Sequence, residues 1–327
     1  MTNKNTATDV IRTHIIQQLA KGEFCSGETL GEQLGISRAA VSNHIKCLAE
    51  LGLDIYSVQG KGYRLANELT LLDKHSILSH INQLENVPLC VLNVIDSTNQ
   101  FIKEQQAHLP NGFVCLAEAQ TAGRGRLGRT WVSPYGASMY LSMQWSFAAG
   151  YQAIGGLSLA VGVAIVGALN RIGLQDAQLK WPNDIYVFGK KLAGVLIEVE
   201  GQIGGACHCV IGIGVNVSLP ESVTQIDQPY IDIKTATNQP IDRNIFAAIL
   251  IEELTSTLAQ FEVAGLSPFI EKWQAVDVYA NKPINLIIGQ KITTGIARGI
   301  NSSGALLVET SSGIRAYQGG EISVRPA

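Results

Sequence analysis

The chain has 327 residues, 46% of them hydrophobic and 16% charged, with 24 basic and 27 acidic side chains giving a formal net charge of −3. That balance excludes a disordered, collagen-like or broadly polybasic chain and leaves a globular protein of about two domains, one to three being compatible with the length. Six cysteines (Cys25, Cys47, Cys90, Cys115, Cys207, Cys209) are too sparse for a disulfide scaffold, and the polar start MTNKNTATDV lacks the apolar core of a signal peptide, so reduced thiols in a cytoplasmic protein are expected.

Residues 8–21 place Ile11, Ile15 and Leu19 on one helical face. Ser26 is suited to cap a short helix through Leu34, Gly35-Ile36 to turn, and Ser37 to cap a second helix ending near Leu51. On that second helix Val41, Ile45 and Leu48 face inward, while Arg38, Ser42, Asn43 and Lys46 share an outer face suited to base edges and phosphates. Asp54 to Gln59 alternates, Gly60-Lys61-Gly62 turns and Tyr63-Arg64-Leu65 returns, a hairpin able to lie along a sugar-phosphate backbone with Lys61 at its tip. The whole reads as a winged helix, for which DNA binding competes with a plain packing unit. Residues 1–66 carry seven basic against six acidic side chains, a net of +1, so one copy should hold DNA feebly and two copies per site are expected.

A helix-like stretch (69–81, LTLLDKHSILSHI) leads into an apolar strand, Leu89 to Ile95, that ends in Asp96-Ser97-Thr98-Asn99. Those polar residues suit either a helix cap or a neutral polar ligand. A strand from Phe113 to Gln120 then runs into GRGRLGR (123–129), Thr130 and Trp131. Gly123, Gly125 and Gly128 match G-x-G-x-x-G, but Pro134 and Gly136 follow where a helix should, and no acidic residue lies between Ala119 and Gln175 to take a ribose; a Walker A loop fails for want of Gly-Lys-Ser/Thr. What remains is three guanidiniums, Arg124, Arg126 and Arg129, on flexible backbone, fit to wrap an anion or simply to be solvated. Ala153 to Leu169 is apolar but short for a membrane span and broken by glycines, so a buried helix is expected and no membrane partner.

Lys180-Trp181-Pro182-Asn183-Asp184 precedes a strand (IYVF), a Gly189-Lys190 turn and a strand from Lys191 to Glu200. On residues alone Lys190 and Lys191 are ordinary hairpin charges. The apolar run Leu192 to Val199 is read as an exposed edge strand suited to side-by-side pairing of two subunits. In Cys207-His208-Cys209 a strand would put both thiols on one face and the imidazole on the other, which favours buried thiols over a metal site. Residues 241–264 form an amphipathic helix with Ile245, Ile249, Leu254, Leu258 and Phe261 inward, and the glycine-punctuated strands after Pro283 read as a small all-β barrel.

Taken in order from about Ile11 to Arg325, the winged helix, DSTN, GRGRLGR-T-W, KWPND, KLAG, GIGVN and a terminal GGEIS resemble the bifunctional biotin protein ligase and biotin operon repressor family. The resemblance implies an α+β multidomain chain: a winged helix-turn-helix at 1–66, a mixed α/β biotin/lipoyl-ligase-like catalytic domain at 67–275 and an SH3-like barrel at 276–327. It implies that biotin and ATP, with Mg2+, give biotinyl-5'-AMP and pyrophosphate. Biotin then passes to a lysine of the biotin carboxyl carrier protein of acetyl-CoA carboxylase, and the adenylate complex forms a homodimer on biotin operator DNA. A carboxylate attacking an anionic triphosphate needs fixed cations beside Mg2+, and Arg124, Arg126 and Lys191 can serve. By the same resemblance Ser97, Thr98, Asn99 and Gln120 bind the biotin head and Trp131 walls it. Gly123, Gly125 and Gly194 belong to the adenylate-binding set, and Arg124 to Arg126 close over the adenylate. Lys191 stands beside the reacting carboxylate and phosphate, Asp184 orients or deprotonates the incoming lysine, and Asn183 and Asn216 line the pocket. Leu127 replaces an arginine of the enterobacterial form, and residues 218–235 diverge where the family covers adenine, with Tyr230 a stacking candidate. A lipoate ligase or other acyl-adenylate enzyme is the competing catalytic reading, though it usually lacks this winged helix with GRGRxG and KWPND; a pure ligand-sensing transcription factor would explain only the first domain.

Overall fold

A computed structural model describes residues 7–67, 69–201, 205–320 and 322–327; Glu321 of the GGEIS motif lies outside the described residues. The chain begins with α1 (Ala7–Leu19), α2 (Gly27–Leu34) and α3 (Arg38–Glu50). The Ser26 hydroxyl accepts from Thr29 N at 3.0 Å and the Ser37 hydroxyl from Ala40 N at 3.2 Å, so each helix starts where an orphan amide finds a side-chain acceptor. Gly35 ends α2 in the left-handed region at φ 65°. Ile15, Leu19, Leu30, Val41, Ile45 and Leu48 close a small core. The wing is β1 (Ile55–Val58) paired antiparallel with β2 (Gly62–Leu65). Gly62, at φ 101°, is required there, because a Cβ would lie 2.1 Å from the Cys25 carbonyl oxygen.

The expected helix over 69–81 shrinks to α4 (Lys74–Ser79), capped by Asp73. Its first third is extended because its backbone is engaged elsewhere: Arg243 donates to the Thr70 carbonyl at 2.9 Å, Asn244 to the Leu71 carbonyl at 3.0 Å, and Leu72 N donates to Glu118 at 2.5 Å. Extended backbone alternates its side chains, so Leu69 and Leu71 pack on the winged-helix core while Leu72 enters the central one. The apolar pattern was real, but its period was that of a strand.

The central sheet is built from β3 (Leu89–Ile95), α5 (Thr98–Gln105), β4 (Val114–Gln120), β5 (Ser138–Phe147), α6 (Leu157–Arg171), β6 (Gln178–Lys180), β7 (Asp184–Val187), β8 (Lys190–Gly201) and β9 (Cys207–Asn216). Its seven strands run in the order β3-β4-β5-β9-β8-β7-β6, with β3 and β4 parallel and every other neighbour antiparallel. On β9, Cys207, Cys209, Ile211, Ile213 and Val215 point into the main core, leaving Val210, Gly212, Gly214 and Asn216 for the opposite face. His208 points away from its two buried neighbours and lies 2.7 Å from the Ser146 hydroxyl. Of the apolar run 153–169, the helix begins only at Leu157, after Gly155-Gly156, as the buried α6, and no helix among the described residues is long and apolar enough to cross a membrane.

After β9 come α7 (Ile233–Thr237), α8 (Arg243–Ala264) and α9 (Ile270–Ala275). Helix α8 buries Phe246, Leu250, Ile251, Leu254, Leu258 and Phe261; Ile245 is 39% exposed and Ile249 only partly covered, so the expected inward face is corrected by about one position at its start. The last unit comprises β10 (Pro283–Ile288), β11 (Lys291–Ile300), β12 (Leu306–Thr310), β13 (Gly313–Tyr317) and β14 (Ile322–Pro326), an antiparallel sheet in the order β13-β12-β11-β10-β14. Ile284, Leu286, Ala297 and Val308 of this sheet join the main core, which welds it to the central unit.

One expectation holds only in part. Strand β8 is flanked by β7 from Lys190 to Gly194 and by β9 from Ala193 to Gly201, so the two ladders overlap at Ala193 and Gly194. Leu192, Ala193 and Val195 are buried in the core, so they offer no apolar face to a second subunit. Past Val195 the ladder to β7 stops, and only this stretch of β8 has an open backbone edge. The apolar side chains of Leu192, Ala193 and Val195 mark burial in the core against the face of the sheet, not an apolar face offered to a second subunit.

Candidate active site

On the face of the sheet that carries α5, a row of glycines opens space. Gly194 of β8 sits opposite Gly214 of β9, and the Trp131 indole lies over both: a Cβ on Gly214 would come within 2.4 Å of it and one on Gly194 within 3.3 Å. A Cβ on Gly212 would meet Asn99 at 2.3 Å. These absences of side chain create a cavity of about 590 Å³, ample for a nucleotide-sized ligand.

One end of the cavity is neutral and hydrogen-bonding. Ser97 caps α5, and Thr98 and Asn99 in its first turn are buried. The Gln120 carbonyl oxygen accepts from Thr98 N (2.9 Å) and the Thr98 hydroxyl (3.1 Å), and its amide donates to Ser133 (3.1 Å). The Ser142 hydroxyl donates to the Asn99 carbonyl oxygen at 2.6 Å and lies 2.7 Å from the Thr98 hydroxyl, and the Asn99 amide donates to Glu198 at 2.9 Å. The cap and ligand readings of this segment are therefore compatible, since Ser97 caps while the next two side chains line the cavity.

The other end is cationic. In the GRGRLGR loop Gly125 N donates to Arg129 O at 2.7 Å and Trp131 N to Gly123 O at 2.9 Å, with Leu127 (φ 58°) and Gly128 (φ 71°) both left-handed. Gly123 itself does not line the cavity; it allows the strand to pass, because a Cβ there would lie 2.5 Å from Trp131 O. Arg124 pairs with Glu198 at 2.9 Å. Arg126 donates to Asn183 at 2.8 Å and to the Gly320 carbonyl, and burial lowers its pKa. Lys191 and Asp184 form an ion pair at 2.7 Å, with the Lys191 ammonium 5.5 Å from the Trp131 ring. Asn183 also donates to Val195 O (2.8 Å), and Asn216 donates to Ile231 O (3.1 Å), fixing the backbone beside Tyr230, which bridges to Lys191. Trp131 Nε1 is buried with no hydrogen-bond partner among the described residues.

The three matches that decide identity cover the same three units. Residues 12–64 match the HTH domain family, 91–216 the biotin/lipoate A/B protein ligase family and 279–325 the biotin protein ligase C terminal domain. The bifunctional ligase/repressor BirA of Escherichia coli is 46% identical over 316 residues, 96% of this chain and 97% of that protein. The chain belongs to the BirA ligase/repressor family. The BirA of Bacillus subtilis is 29% identical over 93% of this chain and 95% of its own length. Among solved structures, the biotin protein ligase of Aquifex aeolicus in complex with biotin and ATP superposes with a TM-score of 0.66 at 29% identity, covering 73% of this chain and 99% of that one.

Of the residues singled out from sequence, Ser97, Thr98, Asn99, Gln120, Arg124, Gly125, Arg126, Trp131, Asn183, Asp184, Lys191, Gly194, Asn216 and Tyr230 all line this one cavity. Arg129, singled out with the other two guanidiniums of its loop, lines it too, whereas sequence reasoning missed Lys180, Gln228 and Arg325. Lys180 is buried, its ammonium donating to the Tyr186 hydroxyl at 3.1 Å; burial and then the neighbouring Arg325 push its pKa down to about 8. KWPND contained the signal, since a lysine on a strand followed by a fixed turn is held rather than waving in solvent. Arg325 carried none. On the winged helix, Arg38, Asn43, Lys46 and Lys61 are exposed and Ser42 partly so, while Lys61 and Arg64 lie 5.8 and 4.9 Å from the Phe24 ring.

Proposed function

We propose that this protein is a biotin protein ligase and transcriptional repressor: it joins biotin to ATP, transfers biotin to a lysine of the biotin carboxyl carrier protein of acetyl-CoA carboxylase, and represses a biotin operon as its adenylate complex. What carries this reading is one continuous cavity with a neutral hydrogen-bonding end and a cationic end, on a chain that also bears a winged helix. Ser97, Thr98, Asn99 and Gln120 hold the uncharged biotin head, whose ureido group both donates and accepts. Trp131 walls the apolar ring and chain. Mg2+ is expected to arrive with ATP as the substrate complex.

A biotin carboxylate oxygen attacks the α-phosphorus, and the bond to the β-phosphate breaks to release pyrophosphate. Lys191, Arg126, Arg129, Lys180 and Arg325 offset the negative charge of both partners, and Lys191, Arg126 and Lys180, held by Asp184, Asn183 and Tyr186, need little reorganisation as charge develops. The mixed anhydride is held by Arg124, Gly125 and Arg126, with Gly123 and Gly194 allowing close approach and Tyr230 stacking on adenine. In the second half-reaction the acceptor amine attacks the biotinyl carbonyl carbon, AMP leaves and the amine gives up a proton. Asp184 orients that amine and Lys191 stabilises the departing phosphate, while Asn183 and Asn216 keep the surrounding loops in place. The proposed units are 1–66 for operator DNA, 67–275 for catalysis and 276–327 closing the site with Arg325, working in the cytoplasm.

DNA contact falls to Arg38, Ser42, Asn43, Lys46 and Lys61. With a local net charge near +1, a homodimer formed on adenylate binding would double the phosphate contacts, and the open edge of β8 past Val195 is the backbone available for it. Pyrophosphate exchange into ATP with biotin, lipoate and octanoate offered separately tests the proposal. Exchange supported by biotin alone is expected; exchange supported by lipoate or octanoate, or by none, refutes the substrate assignment.

A further inference from the structure

Two cysteines that play no part in the chemistry above face one another across the first two strands of the central sheet. Cys90 of β3 and Cys115 of β4 are direct register partners, so their Cα atoms are separated by about one strand spacing of 4.8 Å, within the 4.4–6.8 Å that a disulfide spans. Direct partners on neighbouring strands project to the same face of a sheet. Both thiols join the small cluster under α5 formed with Ile102 and Val210. Their exposure differs: β3 is the sheet's edge strand and Cys90 is half-buried, whereas Cys115 has no exposed surface.

We propose that Cys90 and Cys115 are a reversible redox pair in which the accessible Cys90 reacts with hydrogen peroxide and the buried Cys115 resolves it to a disulfide. The Cys90 thiolate attacks one peroxide oxygen; the O–O bond breaks, hydroxide leaves and is protonated to water, and Cys90 becomes a sulfenic acid. Cys115, giving up its proton, attacks the Cys90 sulfur; the S–S bond forms, the S–O bond breaks and a second water leaves. Two thiols are oxidised and one peroxide is reduced, and a small thiol reverses the change by exchange. An accessible thiol that forms thiolate readily beside a resolving partner is the arrangement that favours this route over irreversible oxidation. Here the Cys115 thiol hydrogen-bonds the Cys90 sulfur and lowers its pKa, opposed by burial and helped by Lys74, while the same bond and burial raise Cys115. Cys207 and Cys209 are also neighbours, but both are fully buried in the main core and out of an oxidant's reach. The Cys90–Cys115 bond joins the two strands whose ends carry Thr98 and Gln120, themselves bonded to each other.

The test is peroxide treatment of the full-length reduced protein, alkylation and tryptic mass mapping. Cleavage after Lys74, Lys103 and Arg124 puts Cys90 in peptide 75–103 and Cys115 in peptide 104–124, so the disulfide appears as a linked pair that dithiothreitol separates. The expected result is that this pair forms before Cys25, whose pKa burial raises, is lost to oxidation. In Cys90→Ser, which alters only a half-buried edge position, Cys115 should stay alkylatable after unfolding. Accumulation of Cys90 sulfinic acid with no linked peptide, or loss of Cys115 in Cys90→Ser at the wild-type rate, overturns the pairing.

Discussion

Lys191→Met removes one charge from the proposed reacting centre, and the structure sets the size of the effect. The Lys191 ammonium and the Asp184 carboxylate are 2.7 Å apart with 14% and 19% of their side chains exposed, so in the resting protein they neutralise each other. Without Lys191 the carboxylate faces two anionic substrates unopposed. For a phosphate charge about 5 Å from the ammonium, an effective dielectric constant of about 20 gives roughly 3 kcal/mol of lost attraction. That corresponds to about 10² to 10³ in rate, the range found when one preorganised donor to a developing charge is removed. Adding Asp184→Asn to Lys191→Met removes the new repulsion without restoring the cation, so the double variant should regain biotin binding while its rate stays low. Biotin-dependent pyrophosphate exchange measures the rate, calorimetric titration with biotin the binding, and circular dichroism the fold. Exchange by folded Lys191→Met within about twofold of the unsubstituted protein would return Lys191 to an ordinary hairpin charge and refute the reasoning.

Arg126→Gly cuts the loop's ties to Asn183 and the Gly320 carbonyl; it should still make biotinyl-5'-AMP but release it, and mass spectrometry should find biotin on a bystander protein, whereas adenylate formation with clean bystander lysines would count against the clamp. Lys180, with a pKa near 8 in the free protein, is about half protonated at pH 8, and a bound triphosphate favours the charged form, so ATP binding at that pH should take up a proton; calorimetry in buffers of different ionisation enthalpy should show this uptake, and Lys180→Met should abolish it. An unfolded lysine keeps its proton up to about pH 10.4, so below pH 8 the folded state carries the full cost of a buried charge and regains stability as pH rises from 8 toward 10; Lys180→Met should flatten that rise in urea unfolding. Glu118→Gln leaves Arg243, buried and bonded to the 70–72 segment, without its counter-charge; a loss of about 3–5 kcal/mol is expected, and a melting temperature unchanged from the parent's would show that the pair does not stabilise that segment.

The winged helix was legible because its signals are local: Ser26, Ser37 and Gly35 act within three residues of where they stand. The glycines of GIGVN and KLAG were legible as motifs but not as geometry, since only the register of β8 on β9 brings Gly194 against Gly214. Helix α8 misled because it is buried on most of its circumference, with Phe246, Ala247, Ala248, Leu250 and Ile251 all covered, so no single stripe defines its inward face. Strand β8 misled for a related reason: a strand enclosed by neighbours and a strand exposed at an edge can carry the same apolar residues. Arg325 stands 145 residues from Lys180 in sequence and meets it only through the docking of the last sheet on the main core, which no local pattern announces.

A single short segment faces both of the protein's proposed tasks. Trp131 lies on the glycine floor of the cavity and Ser133 accepts from Gln120, while Pro134 packs on Gly52 and Tyr135 N donates to the Leu51 carbonyl at 2.9 Å, where helix α3 ends. Tyr135 also donates to Asn93, which in turn donates to Thr13 of α1 at 2.6 Å. The winged helix is thus seated on residues three or four positions along the chain from those that wall the ligand. This short segment is tied at both ends, Trp131 N donating to the Gly123 carbonyl and Tyr135 N to the Leu51 carbonyl. If a ligand shifts Trp131 as the proposed function requires, the shift reaches the end of α3, the helix proposed to contact DNA; because coupling between two binding equilibria is reciprocal, DNA that prefers one setting of α3 would then favour the matching setting of the ligand loop by the same factor.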